Sequence, residues 1–285
     1  MNPSLSIIVP AYNEATRLGK SLGTILEYLG SYDGGGELIV VDDGSTDETA
    51  RIAGQALAGA SPAVSTRFIK VEPNRGKGHA VRAGLLAARA PVALFTDADL
   101  STPITETPKL VEPLRRGEAD VTFGSRALDR SLIGIHQPWR REQGGKVFNL
   151  IVRLATGLPF WDTQCGFKAF RMSVCRAVAE GARIDRFGFD VELLYVAHLA
   201  GLKLREIPVR WDHYEGSKVS VARDSLRMFN EVRLIRRLAR EGFYEEAINA
   251  TRFAARESGY SSPEAAGDAD SSHDRARELA TARRI

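Results

Sequence analysis

Short apolar runs recur through the first half of the chain, at 5–9, 38–41, 67–71, 92–96 and 121–123. They are rich in the β-branched and aromatic residues that suit buried strands. Between them, over 14–29, 46–57, 78–88 and 105–115, apolar positions fall three and four apart, the period of a helix with one buried face. The first three runs end in turn chemistry: Pro10-Ala11-Tyr12-Asn13-Glu14, Asp42-Asp43-Gly44-Ser45-Thr46-Asp47 and Pro73-Asn74-Arg75-Gly76-Lys77-Gly78. This alternation predicts an α/β fold, a mostly parallel central sheet flanked by helices on both faces. Ligands of such sheets bind beyond the carboxyl ends of the strands. The second half is less regular. Helices are predicted over 144–155, 190–199, 222–240 and 244–256, and strands over 166–170 and 203–207, with a loop at 157–162. From 258 the sequence turns to Ser, Ala, Gly and Asp, which predicts a disordered tail over 258–285 with at most a marginal helix at 274–284.

Composition narrows the function classes. The 285 residues are 44% hydrophobic and 26% charged, ordinary for a globular protein with a sizeable core. A net charge of +3, with acids and bases interleaved, argues against a nucleic-acid partner. Cys165 and Cys175 belong to no C-x-x-C pair and read as buried free thiols. No apolar run approaches the roughly 20 residues of a membrane helix, and the start of the chain lacks a basic leader, so the expected location is cytoplasmic.

Candidate chemistry sits in the loops. Asp97-Ala98-Asp99 follows the run 92–96, so two carboxylates one residue apart stand where a strand opens. Side chains at i and i+2 of a strand point the same way, and their repulsion is relieved by a hard cation shared with phosphate oxygens. Asp42 and Asp43 precede a helix start that Ser45 or Thr46 is expected to cap, and a carboxylate there would accept the N3–H of a uracil or guanine ring. The Asn74–His79 loop lacks the Ser or Thr that a Walker loop carries after its lysine, yet Arg75 or Lys77 at a helix start would still approach a nucleotide. His79 reads as a helix-start residue.

Taken in order, these loops resemble those of the family 2 glycosyltransferases with the GT-A fold. They are similar in particular to the group acting on polyprenyl (dolichyl-type) phosphates, its glucosyl branch more than its mannosyl one. The matching segments are Ile7–Glu14, Val40–Asp47, Asn74–His79, Asp97–Asp99, Gly124-Ser125-Arg126, Asp162–Lys168, Phe189–Leu194 and Glu215-Gly216-Ser217-Lys218, over roughly residues 5–240. The resemblance implies a domain over 1–257, with a nucleotide-binding half to about 125 and an acceptor-binding half beyond it. It implies transfer of glucose from UDP-glucose to a polyprenyl phosphate, with inversion and with Mg²⁺ or Mn²⁺. Pro10, Ala11, Tyr12, Glu14, Asp43, Lys77, Asp97 and Ala98 would line the nucleotide site, and Asp99, with Asp97, would hold the metal, Ser101 standing near. Arg126, Arg140, Arg141 and Ser217 would meet acceptor phosphate, and Lys218 would close over the diphosphate. Asp162 occupies the place of a proposed base. A phosphate with a second pKa near ~6 scarcely needs one, so Asp162 is expected to act by orienting arginines.

Rival readings have their own residues. A soluble acceptor, or GDP-mannose as donor, would keep the same sheet and loops. A sugar-1-phosphate nucleotidyltransferase would carry a Gly-rich loop where Pro10–Glu14 stands, and a processive synthase would carry Trp where Arg141 stands. The helix at 222–240, apolar at Leu226, Phe229, Val232, Ile235 and Leu238 and basic on its other side, is a candidate for peripheral contact with the inner face of a membrane.

Overall fold

In the computed structural model, which describes residues 3–135, 137, 139–213 and 221–258 (side chains of 139–141 and 221–226 excepted), the apolar runs pair into one sheet. The strands are β1 (Leu5–Ala11), β2 (Gly36–Asp42), β3 (Val64–Lys70), β4 (Val92–Thr96), β5 (Val121–Ser125), β7 (Phe167–Arg171) and β8 (Leu204–Pro208). Their order is β3-β2-β1-β4-β7-β5-β8. The sheet is mostly parallel, and β7 is the exception: it pairs antiparallel with both β4 and β5. Two further short strands, β6 (Ile133–Ile135) and β9 (Trp211–Asp212), pair in parallel beside it.

Side chains alternate across the central strands and fill two apolar layers. Leu5, Ile7 and Val9 of β1 join Leu38 and Val40 of β2 on one face. Helices α1 (Leu18–Gly30), α2 (Thr49–Ala58) and α4 (Thr107–Arg115) cover it. Ile8, Ile39, Val41 and Phe95 point to the other face. There they meet α3 (Lys77–Ala87), α5 (Trp139–Thr156), α6 (Met172–Gly181), α7 (Phe189–Leu199), α8 (Val221–Arg240) and α9 (Glu245–Glu257). Burial on both faces is what allows near-continuous apolar strands. β3, at the sheet edge, alternates half-buried and exposed after Val64 instead.

Several expectations are corrected. The chain is not helical from 14: α1 begins at Leu18, because Arg17 and Leu18 donate to Glu14 O in a turn that Glu14 and Arg17 hold together. Neither Ser45 nor Thr46 caps α2. That helix begins at Thr49, whose N–H is taken by Asp47 Oδ1 at 2.9 Å, while Ser45 Oγ accepts the N–H of Asn13. Helix α6 was not anticipated, although Val174, Cys175, Val178 and Ala179 fall three and four apart and are buried together. The stripe on α8 is largely taken up by the core: Val232 and Ile235 are fully buried and Leu238 packs against them, while Phe229 stays exposed and the Leu226 side chain lies outside the described residues. Among the described residues no helix is long and apolar enough to cross a membrane. Cys165 and Cys175 are free and buried. The expected tail from 259 onward lies outside the described residues.

Candidate active site

β1 is flanked by β2 on one side and β4 on the other, so the chain leaves it in both directions. The resulting crevice beyond the strand ends is the place where α/β sheets bind ligands. A cavity of about 340 Å³ lies there. Pro10, Ala11, Tyr12, Glu14, Asp43, Lys77, Asp97, Ala98 and Asp99 all line it. Parallel β1, β2 and β4 end side by side, and four loops distant in sequence therefore converge.

Each loop is built for this. After β4, Leu100 N–H donates to Asp97 O and Ser101 N–H to Asp99 Oδ1 at 3.0 Å, while Leu100 takes a left-handed backbone (φ 50°). A leucine adopts that conformation at a cost of about 1–2 kcal/mol, which the surrounding turn must offset. The two carboxylates face cations. Lys77 Nζ, on the first residue of α3, lies 2.5 Å from Asp97 Oδ1, and Arg17 Nη1 is 3.6 Å from Asp99 Oδ2. Burial works against the Lys77 charge, but Asp97 and Asp190 outweigh it and raise its pKa above the ordinary lysine value. Gly166 touches the same carboxylate: a Cβ there would stand 2.1 Å from Asp97 Oδ2.

Asp43 organises the neighbouring loop. Its carboxylate accepts from Asn74 Nδ2 (2.8 Å), Arg75 N (3.1 Å) and Gly76 N (2.6 Å), and burial still pushes its pKa up. Gly76 is required at φ 120°, where a Cβ would stand 2.4 Å from Asp185 O. Asp42 instead turns inward, accepting Ser45 N–H. Arg17, Arg186 and Phe187 also line the cavity and were not singled out from the sequence. The last two stand just before Gly188 and the Phe189–Leu194 string, with no local pattern to mark them.

A second cavity, about 430 Å³, opens beside β5 and the loop before β7. Arg126 and Asp162 line it together. Arg126 donates to Asp162 from its backbone N–H (3.0 Å), Nε (2.7 Å) and Nη2 (2.8 Å), and its guanidinium lies over the Trp211 ring. Asp162 is buried, which alone would raise its pKa, but the Arg126 charge and hydrogen bonds hold it down at about 2. Its carboxylate is committed to Arg126, whose orientation it fixes. Asp162 and Gly166 are four positions apart, a span of at most ~14 Å. The two cavities are consequently neighbours joined by one loop.

Glu206, in the middle of β8, was missed in the sequence. It accepts Ser125 Oγ–H (2.6 Å), Asp162 N–H (2.8 Å) and Trp161 N–H (2.9 Å), and so ties the Arg126 turn to the Asp162 loop. Lys168, fully buried, bonds Cys165 O and Asp190 Oδ1, each at 2.6 Å, and anchors the far end of that loop. Arg140 and Arg141 fall in the first turn of α5 with side chains outside the described residues, and Ser217 and Lys218 lie outside them altogether.

Comparison with known proteins decides the family. The sequence pattern of Glycosyl transferase family 2 matches residues 6–179. The chain belongs to glycosyltransferase family 2. This glycosyltransferase is 32% identical to the dolichyl-phosphate beta-glucosyltransferase of Dictyostelium discoideum over 82% of its own length and 74% of the relative's. To the Drosophila melanogaster protein of the same name it is 37% identical, over 76% and 69%. Its fold is also that of the glucosyl-3-phosphoglycerate synthase of Mycobacterium tuberculosis, solved with Mn²⁺, UDP and glucosyl-3-phosphoglycerate (TM-score 0.58, 21% identity, 84% and 80% covered). The GT-A architecture expected of the transferase is the one observed.

Proposed function

We propose that this transferase moves glucose from UDP-glucose to a polyprenyl, dolichyl-type phosphate, with inversion at the anomeric carbon. The observation that carries the reading is the Arg126–Asp162 pair, an arginine preset in a cavity adjoining the one that holds Asp97 and Asp99. The named relatives, glucosyltransferases acting on dolichyl phosphate, support the sugar and the acceptor.

In this reading the donor lies across the switch-point crevice. Asp43, with one Oδ1 lone pair beyond those used by the 74–76 loop, accepts the base N–H. Lys77 and Arg17 meet diphosphate oxygens. Asp97 and Asp99 offer hard carboxylate oxygens from one side of the cavity, a donor set that fits Mg²⁺ or Mn²⁺. Asp97 and Asp99 are the two side chains that would hold such an ion beside the donor diphosphate. Such an ion supplies charge neutralisation on the departing diphosphate. Arg126 holds the acceptor phosphate against the anomeric carbon, which turns encounter into proximity. Asp162 keeps Arg126 in that orientation, and the phosphate attacks without a general base.

The test is a panel of UDP- and GDP-sugars against a short polyprenyl phosphate, with and without Mg²⁺ or Mn²⁺. Transfer from UDP-glucose, dependent on the metal, is expected. Transfer only to soluble sugar or acid acceptors, or only from GDP-mannose, would replace the reading.

A further inference from the structure

Helix α5 is apolar on two sides. Phe148 and Val152, four residues apart, are turned into the core. Val147, Leu150 and Leu154, spaced three and four apart, are instead 58%, 53% and 78% exposed. Trp161, on the loop after the helix, is 57% exposed. At 3.6 residues per turn the three aliphatic side chains form one stripe, and Lys146 and Arg153 form the adjoining one. That basic stripe lines the Arg126 cavity, so the apolar stripe runs along its mouth. Arg153 lies over the Trp161 ring, 4.0 Å from guanidinium carbon to centroid.

Charge says what kind of partner fits. The described cavity lining carries four cations, Arg126, Arg130, Lys146 and Arg153, against two carboxylates, Glu142 and Asp162. Glu142 is already shared between Arg130 and Lys146, and Arg153 makes no ion pair among the described residues. An exposed apolar patch rimmed by surplus cations complements an anionic bilayer surface, where aliphatic and indole groups enter below the headgroups and cations stay level with them.

We propose that Val147, Leu150, Leu154 and Trp161 seat this transferase on an anionic lipid bilayer, with the Arg126 cavity held at the headgroup layer. The orientation rests on the polyprenyl-phosphate reading above. A prenyl phosphate in a bilayer presents its phosphate at that depth and its chain below, the same order as the basic and apolar stripes of α5. The contact thus moves from α8, whose Val232 and Ile235 are core, to α5. A second copy of the chain would cover the apolar stripe but leave the excess of cations unmatched.

The experiment uses the full chain and vesicles of phosphatidylcholine with and without phosphatidylglycerol, co-sedimented at low and high salt. Wild type is expected to bind the phosphatidylglycerol vesicles and to be released by salt. In Val147→Asp/Leu154→Asp the partition into vesicles is expected to fall about tenfold or more. Neither side chain lines a cavity, so transfer to a short polyprenyl phosphate without vesicles is expected to be unchanged. Val147→Thr/Leu154→Gln, checked by circular dichroism, serves if the aspartates disturb folding, and its partition is expected to fall in the same direction. Wild type that ignores anionic vesicles at low salt overturns the proposal, as does a folded variant that binds them equally. A wild-type dimer dispersed by the double substitution overturns it too, assigning the face to a second copy. Vesicle binding is scored without donor or acceptor, so failure of transfer by wild type counts against the acceptor reading alone.

Discussion

Replacing Asp162 by Asn separates a steering anion from a proton acceptor. The Asp162 carboxyl is 2% exposed and is held at about 2, against an ordinary aspartate value of 3.8. Native Asp162 thus binds its proton less readily than the unfolded chain does, and its ionised form stabilises the fold. That stabilisation is fully present above pH 4–5 and is lost as pH falls through 3.8 toward 2. A depression from 3.8 to about 2 corresponds to about 2–3 kcal/mol at neutral pH, and about half of it survives at pH 3. Removing one partner of a buried pair costs about 3–5 kcal/mol when the other charge stays buried, so the linkage figure is a lower bound. Arg126 keeps some solvent access, which brings the expected loss toward that lower figure. Urea unfolding of wild type and Asp162→Asn at pH 7, 4 and 3 reads this directly. The deficit is expected to stay near its full size at pH 4 and to shrink by pH 3. Turnover should fall through the acceptor, with the donor Kd unchanged. A variant as stable as wild type at pH 7 would refute the argument. So would a kcat that follows an ionisation near neutral pH in wild type and loses that dependence in the variant, because it would make Asp162 a base.

Asp99→Asn is expected to abolish turnover while circular dichroism stays that of wild type; full metal-dependent activity would remove Asp99 from the site. Gly166→Ala places a methyl against Asp97 Oδ2 and should weaken UDP-glucose binding about 10–100-fold by calorimetry, the size of one lost charge-assisted contact. An unchanged Kd would take Asp97 out of the donor site. Glu206→Gln leaves one acceptor oxygen where two serve three donors. It should lower kcat/KM for acceptor about 10–100-fold with donor KM unaltered, and equal losses for both substrates would point to general disorder instead. Lys168→Met leaves Asp190 buried without its cation and should cost about 3–5 kcal/mol in urea unfolding; a loss under 1 kcal/mol would show that Cys165 O and Asp190 find other partners.

Most of the first half was legible because strands buried on both faces are continuous apolar runs, and because each ends in a loop whose residue types name a chemistry. Asp97 and Asp99, Asp43 and Lys77 could be nominated from spacing and turn type. That they line one cavity follows from parallel β1, β2 and β4 ending together. Glu206 could not be read this way. Its role needs β8 beside β5, a pairing between residues 81 positions apart that no local pattern records. Arg17 was hidden for a similar reason, inside a stretch expected to be helix and found to be a turn.

The α8 stripe shows the limit most plainly. Its sequence determines a helix with one apolar side, because a 3.6-residue period states which residues share a face. It cannot state what that face meets. Packing placed Val232 and Ile235 in the core and left Val147, Leu150 and Leu154 of α5, a helix of weaker pattern, facing outward. The sequence by itself determined the sheet-and-helix alternation, the family and the acidic and basic loops, since these depend on neighbouring residues. Only the tertiary structure decided the antiparallel β7, the Glu206 ties and the exposed face, since each depends on which distant surfaces exclude water together.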